Sequence, residues 1–221
     1  MRQCVVLLWA ELGILLPATV AALIIAIPWL AAVALGFDPL APLACALFGA
    51  PAWAGLVALV AAAARGQSAG LGTMLRAVMR EYRRGVTLGA ATAGFAWAFE
   101  RAIAGVGEGD LLLIPVLTAL AAATIVILSI DVHAFTLLAL WDASLVDTVR
   151  TSLALAAVAP GATCGLLAAG VLAYVALARL GPGTLLLTLP VLAVLHVNNT
   201  LLHAKRLSPG PGLGSGFKST S

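Results

Sequence analysis

The chain has 221 residues, of which 62% are hydrophobic and only 10% are charged, and its formal net charge at pH 7 is +3. Ordinary soluble domains carry about 25% charged residues, so this composition excludes a water-soluble globular fold and indicates that lipid surrounds the folded chain. The basic residues lie in short segments between apolar stretches, which argues against a nucleic-acid-binding face, and Cys4, Cys45 and Cys164 lack the number and spacing of a disulfide framework or zinc site.

Two long apolar stretches occupy the first third of the chain. Residues 12–36 follow a basic N-terminus and exceed the roughly 20 residues that a membrane-spanning helix requires. We therefore predict an uncleaved first span rather than a secretory signal, which would have a shorter apolar core and a cleavage site. Residues 40–64 are similarly long and apolar, and they predict the second span.

The next segment, RGQSAGLGTMLRAVMREYRRG at positions 65–85, contains five of the twelve Lys and Arg residues. Its apolar residues recur at helical spacing, and arginines occupy the other side. This pattern predicts a short amphipathic helix in the cytoplasmic membrane interface, bound to anionic lipid headgroups. The alternative is a helix that docks a cytoplasmic partner, such as a transporter ATPase. The apolar stripe consists of Met74, Leu75, Val78, Met79 and Tyr82, and the basic side of Arg76, Arg80, Arg83 and Arg84.

Four further apolar stretches, 86–103, 111–130, 161–180 and 184–202, bring the predicted number of spans to six. Before the fifth, Ser144 and Asp147 have the spacing of a helix capping box, so a short helix is predicted to end before Pro160. Residues 207–221 are rich in Pro, Gly and Ser and predict a disordered tail. The predicted fold is an all-α polytopic membrane helix bundle over residues 1–206, followed by that tail.

The distribution of Lys and Arg predicts the orientation of the bundle. With a cytoplasmic N-terminus, ten of the twelve basic residues lie inside and only Arg101 and Arg179 lie outside. The positive-inside rule therefore favours cytoplasmic N- and C-termini. The inside residues are Arg2, Arg65, Arg76, Arg80, Arg83, Arg84, Arg150, Lys205, Arg206 and Lys218.

Polar residues at one predicted depth, near the cytoplasmic boundary, form the candidate site. Acid and imidazole groups inside a membrane are rare and mark proton, ion or ligand pathways, although hydrogen bonding between helices is the simpler explanation. Asp131 and His133 are two positions apart and do not share a helical face, which weakens a metal site. We find no hydrolase, zinc-protease or nucleotide-binding motif, and we predict neither an enzyme nor a cofactor. The candidates are Glu11, Asp131, His133, His196, Asn199 and His203.

Three segments carry a resemblance to a known family. The stretches GAPAWAGLVALVAAAARGQ, LRAVMREYRRG and LLALWDASLVDTVRTSLALAAVAP are similar to corresponding segments of the YesL family of small bacterial membrane proteins. The likeness covers roughly residues 40–200. It implies a multi-pass protein of the bacterial inner membrane that assists a carbohydrate ABC uptake system, and it supplies no catalytic residues.

The sequence therefore leaves two functional roles open. The first is an accessory protein beside ABC transporter subunits. The alternative is a small-molecule or vitamin transporter component that docks a shared energising module. Stripes of small residues in the third and fifth predicted spans fit close packing within one chain or between copies of it.

Overall fold

The computed structural model describes residues 12–37, 40–109, 111–141 and 143–207, and these residues form helices and short turns. The predicted all-α fold is confirmed over this part of the chain. The described α-helices are α1 (Leu12–Ile25), α2 (Ile27–Ala34), α3 (Ala41–Ala44), α4 (Ala50–Ala64), α5 (Leu71–Gly107), α6 (Ile114–Leu140), α7 (Leu145–Val158), α8 (Pro160–Leu180) and α9 (Leu185–Leu207).

Four helices are long and apolar enough to cross a membrane, namely Ala41–Ala64, Ile114–Leu140, Pro160–Leu177 and Leu185–Ala204. A fifth is added if α1 and α2 are counted as one span, although their axes bend by 58°. Pro28 explains this bend, because it has no N–H to donate to the carbonyl of Ile24 one turn earlier. The predicted stretch 86–103 is helical but is not among the helices that meet this test, because Glu100 and Arg101 lower its mean hydropathy.

Helix α4 is the central helix of the bundle. It packs against α1, α5, α6 and α9, and nearly every residue from Ala50 to Ala62 is buried. A π-helical turn, Cys45–Gly49, precedes it and joins it to α3, so that the Ala50 N–H reaches the Cys45 carbonyl. This wider turn accommodates Pro51, which cannot donate a helical hydrogen bond.

Small residues bring α4 and α5 into close contact. The Cα of Pro51 lies 3.6 Å from the position that a Cβ on Gly85 would take. A Cβ on Gly89 would overlap the Cβ of Ala50, and a Cβ on Gly55 would overlap Val78. The small-residue stripe of the third predicted span therefore forms a contact inside the chain. In contrast, a Cβ on Gly161 or Gly165 of the fifth span would have no described atom of another helix within 4 Å.

The basic segment is not a separate short helix, and this corrects the prediction. Residues 71–85 of the segment form the first part of α5, a continuous helix of 37 residues that is about 55 Å long at 1.5 Å per residue. Its apolar stripe is also divided. Met74 is fully buried against the bundle, whereas Leu75, Met79 and Tyr82 remain exposed.

Ser144 caps the start of α7 as predicted, although Asp147 returns its bond to the Ser144 hydroxyl and not to the backbone N–H that a capping box uses. The backbone N–H of Asp147 donates to Ser144 Oγ at 3.1 Å, and the Ser144 hydroxyl donates to the Asp147 carboxylate at 2.6 Å. The helix ends at Val158, before Pro160, as predicted. Of the predicted tail, residues 208–221 lie outside the described residues, and Leu207 is the last residue of α9.

Candidate functional site

The last third of α6 carries two of the candidate residues on different sides. Residues 132–140 are all buried, so this part of the helix is surrounded by protein. Asp131 contacts α5 through Thr92, whereas His133 contacts α8 and α9. The structure thus separates the two residues, as their spacing in the sequence predicts.

His133 is fully buried and links three helices. Its Nε2 lies 3.1 Å from the Thr163 hydroxyl of α8, and its Nδ1 lies 3.0 Å from the Thr200 hydroxyl of α9. The Thr163 hydroxyl donates to the Ala159 carbonyl at 3.2 Å, so it accepts a hydrogen bond from His133 Nε2–H. In a neutral imidazole, Nδ1 is then the acceptor for the Thr200 hydroxyl and the ring proton is on Nε2.

Three other candidates lie on one face of α9, as predicted from their spacing. His196 meets the indole of Trp53 edge to face, with ring centroids 5.5 Å apart and planes at 87°. Within the described residues, however, no group of three His, Cys, Asp or Glu side chains could hold a metal ion. Glu11 lies outside the described residues.

This face of α9 leaves polar atoms without partners. Nδ1 of His196, Nδ2 of Asn199 and Nδ1 of His203 are buried, and none has a hydrogen-bond partner among the described residues. Buried polar atoms are normally satisfied by protein or by ordered water.

Asp131 lies at the wall of a partly open cavity between α1, α2, α4, α5, α6 and α9. The Thr92 hydroxyl donates a hydrogen bond to its carboxylate. The cavity has a volume of about 380 Å³, and apolar side chains line nearly all of it, including Leu23, Phe135 and Leu189. Asp131 is the single charged residue among the described residues that line it.

Two tryptophans shape this cavity. Trp29 and Trp53 both line it, and Trp53 also contacts His196 on the far side. The sequence already contained a signal for Trp53, because it lies deep in a predicted span whereas interfacial tryptophans lie near span ends. Thr92 was not among the predicted residues, and a hydroxyl within an apolar span is the signal that could have identified it.

The four candidate arginines of the basic segment have different environments. Glu81, which is 3% exposed, accepts hydrogen bonds from Arg80 at 2.8 Å and from Arg84 at 3.1 Å. Arg83 is exposed, and Arg76 donates through Nε to the Gly72 carbonyl at 3.1 Å. The predicted uniform basic face thus includes a buried carboxylate that neutralises part of its charge.

Comparison of the chain with family models, with curated proteins and with solved structures finds no match.

Proposed function

We propose that the chain is a non-enzymatic protein of the bacterial inner membrane, with six spans and cytoplasmic termini. We further propose that it binds a small molecule, consisting of an apolar body and a protonated amine, in the cavity beside Asp131. This proposal belongs to the transporter-component class rather than to the accessory class.

The carboxyl group of Asp131 in an otherwise apolar cavity is the observation that carries the proposal. A carboxylate within a membrane is costly unless a partner compensates its charge. Thr92 supplies one hydrogen bond and no charge. A ligand ammonium group would supply the missing positive charge, and the apolar walls would receive the ligand body. The volume of about 380 Å³ suits a small molecule.

The six-span topology adds two spans to the four helices that meet the length and apolarity test. One is the bent pair α1 and α2. The other is the second half of α5, whose outer end carries Arg101 with its guanidinium carbon 5.6 Å from the centroid of the Trp97 ring. A Trp beside an Arg is typical of a span end at the membrane interface, and it supports a boundary there.

The binding proposal is tested with the full-length protein in detergent or nanodiscs. Amphiphilic amines and their neutral alcohol counterparts are titrated while the thermal unfolding midpoint and ligand affinity are measured. We expect the amines to bind more tightly. We expect Asp131→Asn to weaken amine binding at least about tenfold, because it removes the charge while it preserves the shape. Glu108→Gln, which changes an exposed carboxylate outside the cavity, is the matched control.

A second variant tests the cavity itself. Ala93 lines the cavity, and Ala93→Phe is expected to occlude it and to abolish binding of amines and alcohols alike. Amine binding that is equal in the wild type and Asp131→Asn would contradict the role of the carboxylate. Binding that survives Ala93→Phe unchanged would place the ligand elsewhere.

The accessory role beside a carbohydrate ABC transporter stays a second proposal. The exposed stripe of Leu75, Met79 and Tyr82 on α5 supports it, because Met79 is 73% exposed at the basic end of the helix. Co-purification with transporter permeases that is lost in Met79→Glu would support this role. Repeated isolation of the protein alone from gently solubilised membranes would count against it.

A further inference from the structure

A second cavity lies at the basic end of the bundle, where the loop 65–70 joins α4 to α5. Its volume is about 570 Å³, and three arginines, Arg65, Arg76 and Arg80, line it. The side chains of Ser68 and Thr73 add hydroxyl groups. This site is separate from the apolar cavity and does not depend on the function proposed for it.

Arg65 is the residue that most requires a ligand. Its Nε and Nη1 atoms are buried, and neither has a hydrogen-bond partner among the described residues. Burial and the nearby Arg80 guanidinium lower the pKa of Arg65 from its usual value, which means that its surroundings disfavour the positive charge. A guanidinium in such surroundings is stabilised when an anion provides both charge and acceptors.

The charges of the described residues around the cavity do not balance. Glu81 pairs with Arg80 and Arg84, whereas neither Arg65 nor Arg76 forms an ion pair with a described residue. Helix α5 also begins here, and its N-cap residue Gly70 offers no side-chain cap. The first backbone N–H groups of a helix and its dipole favour an anion near that end.

We propose that the arginine cavity binds a phosphate group, carried either by an anionic phospholipid headgroup or by a soluble phosphorylated molecule. Arginine binds phosphate oxygens through paired hydrogen bonds, and the Ser68 hydroxyl would add a further donor. Both sources present the same chemistry to Arg65 and Arg76, and the experiment distinguishes them.

The test uses the full-length protein in a zwitterionic detergent. Phosphatidylglycerol, phosphatidylcholine and inorganic phosphate are added separately, and binding is measured by native mass spectrometry and by the shift of the unfolding midpoint. We expect phosphatidylglycerol or inorganic phosphate to bind, and phosphatidylcholine to bind at least about tenfold more weakly than phosphatidylglycerol. Arg65→Gln and Arg76→Gln are each expected to weaken anion binding at least about tenfold. Arg83→Gln removes the same charge from the same helix outside the cavity, and it should leave binding unchanged.

The outcomes distinguish a lipid headgroup from a soluble phosphate compound. Saturable binding of inorganic phosphate that competes with phosphatidylglycerol assigns a soluble phosphate compound, and binding of phosphatidylglycerol alone assigns the headgroup. The proposal is overturned if neither probe binds or if all three substitutions weaken binding equally.

Without anion, Arg65→Gln should be at least as stable as the wild type, because it removes an uncompensated charge. If that variant instead fails to fold, Arg76→Gln at the exposed rim carries the test.

Discussion

His133 shows how the environment of one residue decides between a functional and a structural role. A histidine near a membrane-embedded aspartate suggested a proton or metal site. Both of its ring nitrogens are instead hydrogen-bonded to threonine hydroxyls of two other helices. These partners lie 30 and 67 residues further along the chain, which explains why the sequence alone could not identify them. The spacing did predict that Asp131 and His133 point to different neighbours.

The hydrogen bond between Thr200 and His133 yields a prediction for stability. Thr200→Val removes the hydroxyl while it keeps the shape of the side chain, and it should lower the unfolding free energy by about 1 kcal/mol, the usual scale for a hydrogen bond between membrane helices. Steric-trap or denaturant unfolding in detergent measures the change. In a double-mutant cycle with His133→Phe, the two effects should be less than additive.

Thr188→Val is the matched control for this prediction. The Thr188 hydroxyl donates to the Thr184 carbonyl at 3.0 Å, in the turn that leads into its own helix, so its loss should change stability less. Equal effects of Thr188→Val and Thr200→Val, or full additivity with His133→Phe, would show that the link between α6 and α9 contributes nothing measurable.

Helix α5 shows that a sequence pattern can predict a helix correctly and yet predict its ends incorrectly. The helical periodicity of the basic segment was a sound signal, and residues 71–85 of it are helical. The predicted start of a new span at residue 86 followed the change from charged to apolar residues. In the structure, Gly85 allows the backbones of α4 and α5 to approach closely, and it interrupts nothing. A change from charged to apolar residues marks the boundary between water and lipid, and a helix can continue across that boundary.

The contact between α4 and α5 yields a prediction that separates two similar glycines. Alanine usually stabilises a helix relative to glycine by about 0.5–1 kcal/mol. Gly165→Ala on α8 should follow this rule, because nothing lies within 4 Å of the added methyl group. Gly89→Ala should instead destabilise the protein by about 1–3 kcal/mol, because its methyl group would overlap the Cβ of Ala50.

The thermal unfolding midpoint of both glycine variants in the same detergent checks this prediction. The two substitutions add the same atoms and have the same helix-propensity effect, so their difference reports the packing of α4 on α5. Similar stabilisation of both variants would mean that the two helices are not in close contact.

At the scale of the whole molecule, α4 connects the two cavities. Its first half, including Trp53 and Leu56, lines the apolar cavity, whereas Ala58 and Ala62, together with Arg65 after the helix end, line the arginine cavity. Hydropathy predicted that this segment crosses the membrane, and it could not predict that α4 is central. The helix surfaces that face lipid and those that face other helices are both apolar. A single sequence therefore contains little information on the order of the helices in the bundle or on their rotation. The cavities depend on the order of the helices, so they could not be predicted from the sequence.

The orientation of the molecule gives the last prediction. Ten of the twelve basic residues lie on one side of the proposed six-span bundle, so the basic end of α5 should face the cytoplasm and the turn after α5 should face the exterior. In a variant with Cys4, Cys45 and Cys164 replaced by serine, Arg83→Cys and Glu108→Cys introduce single thiols at two exposed positions. A membrane-impermeant maleimide added to intact spheroplasts should label Glu108→Cys, and it should label Arg83→Cys only after the membrane is opened. Labelling of Arg83→Cys but not Glu108→Cys in intact spheroplasts would show the opposite orientation. Equal labelling of both thiols there would exclude a span between them.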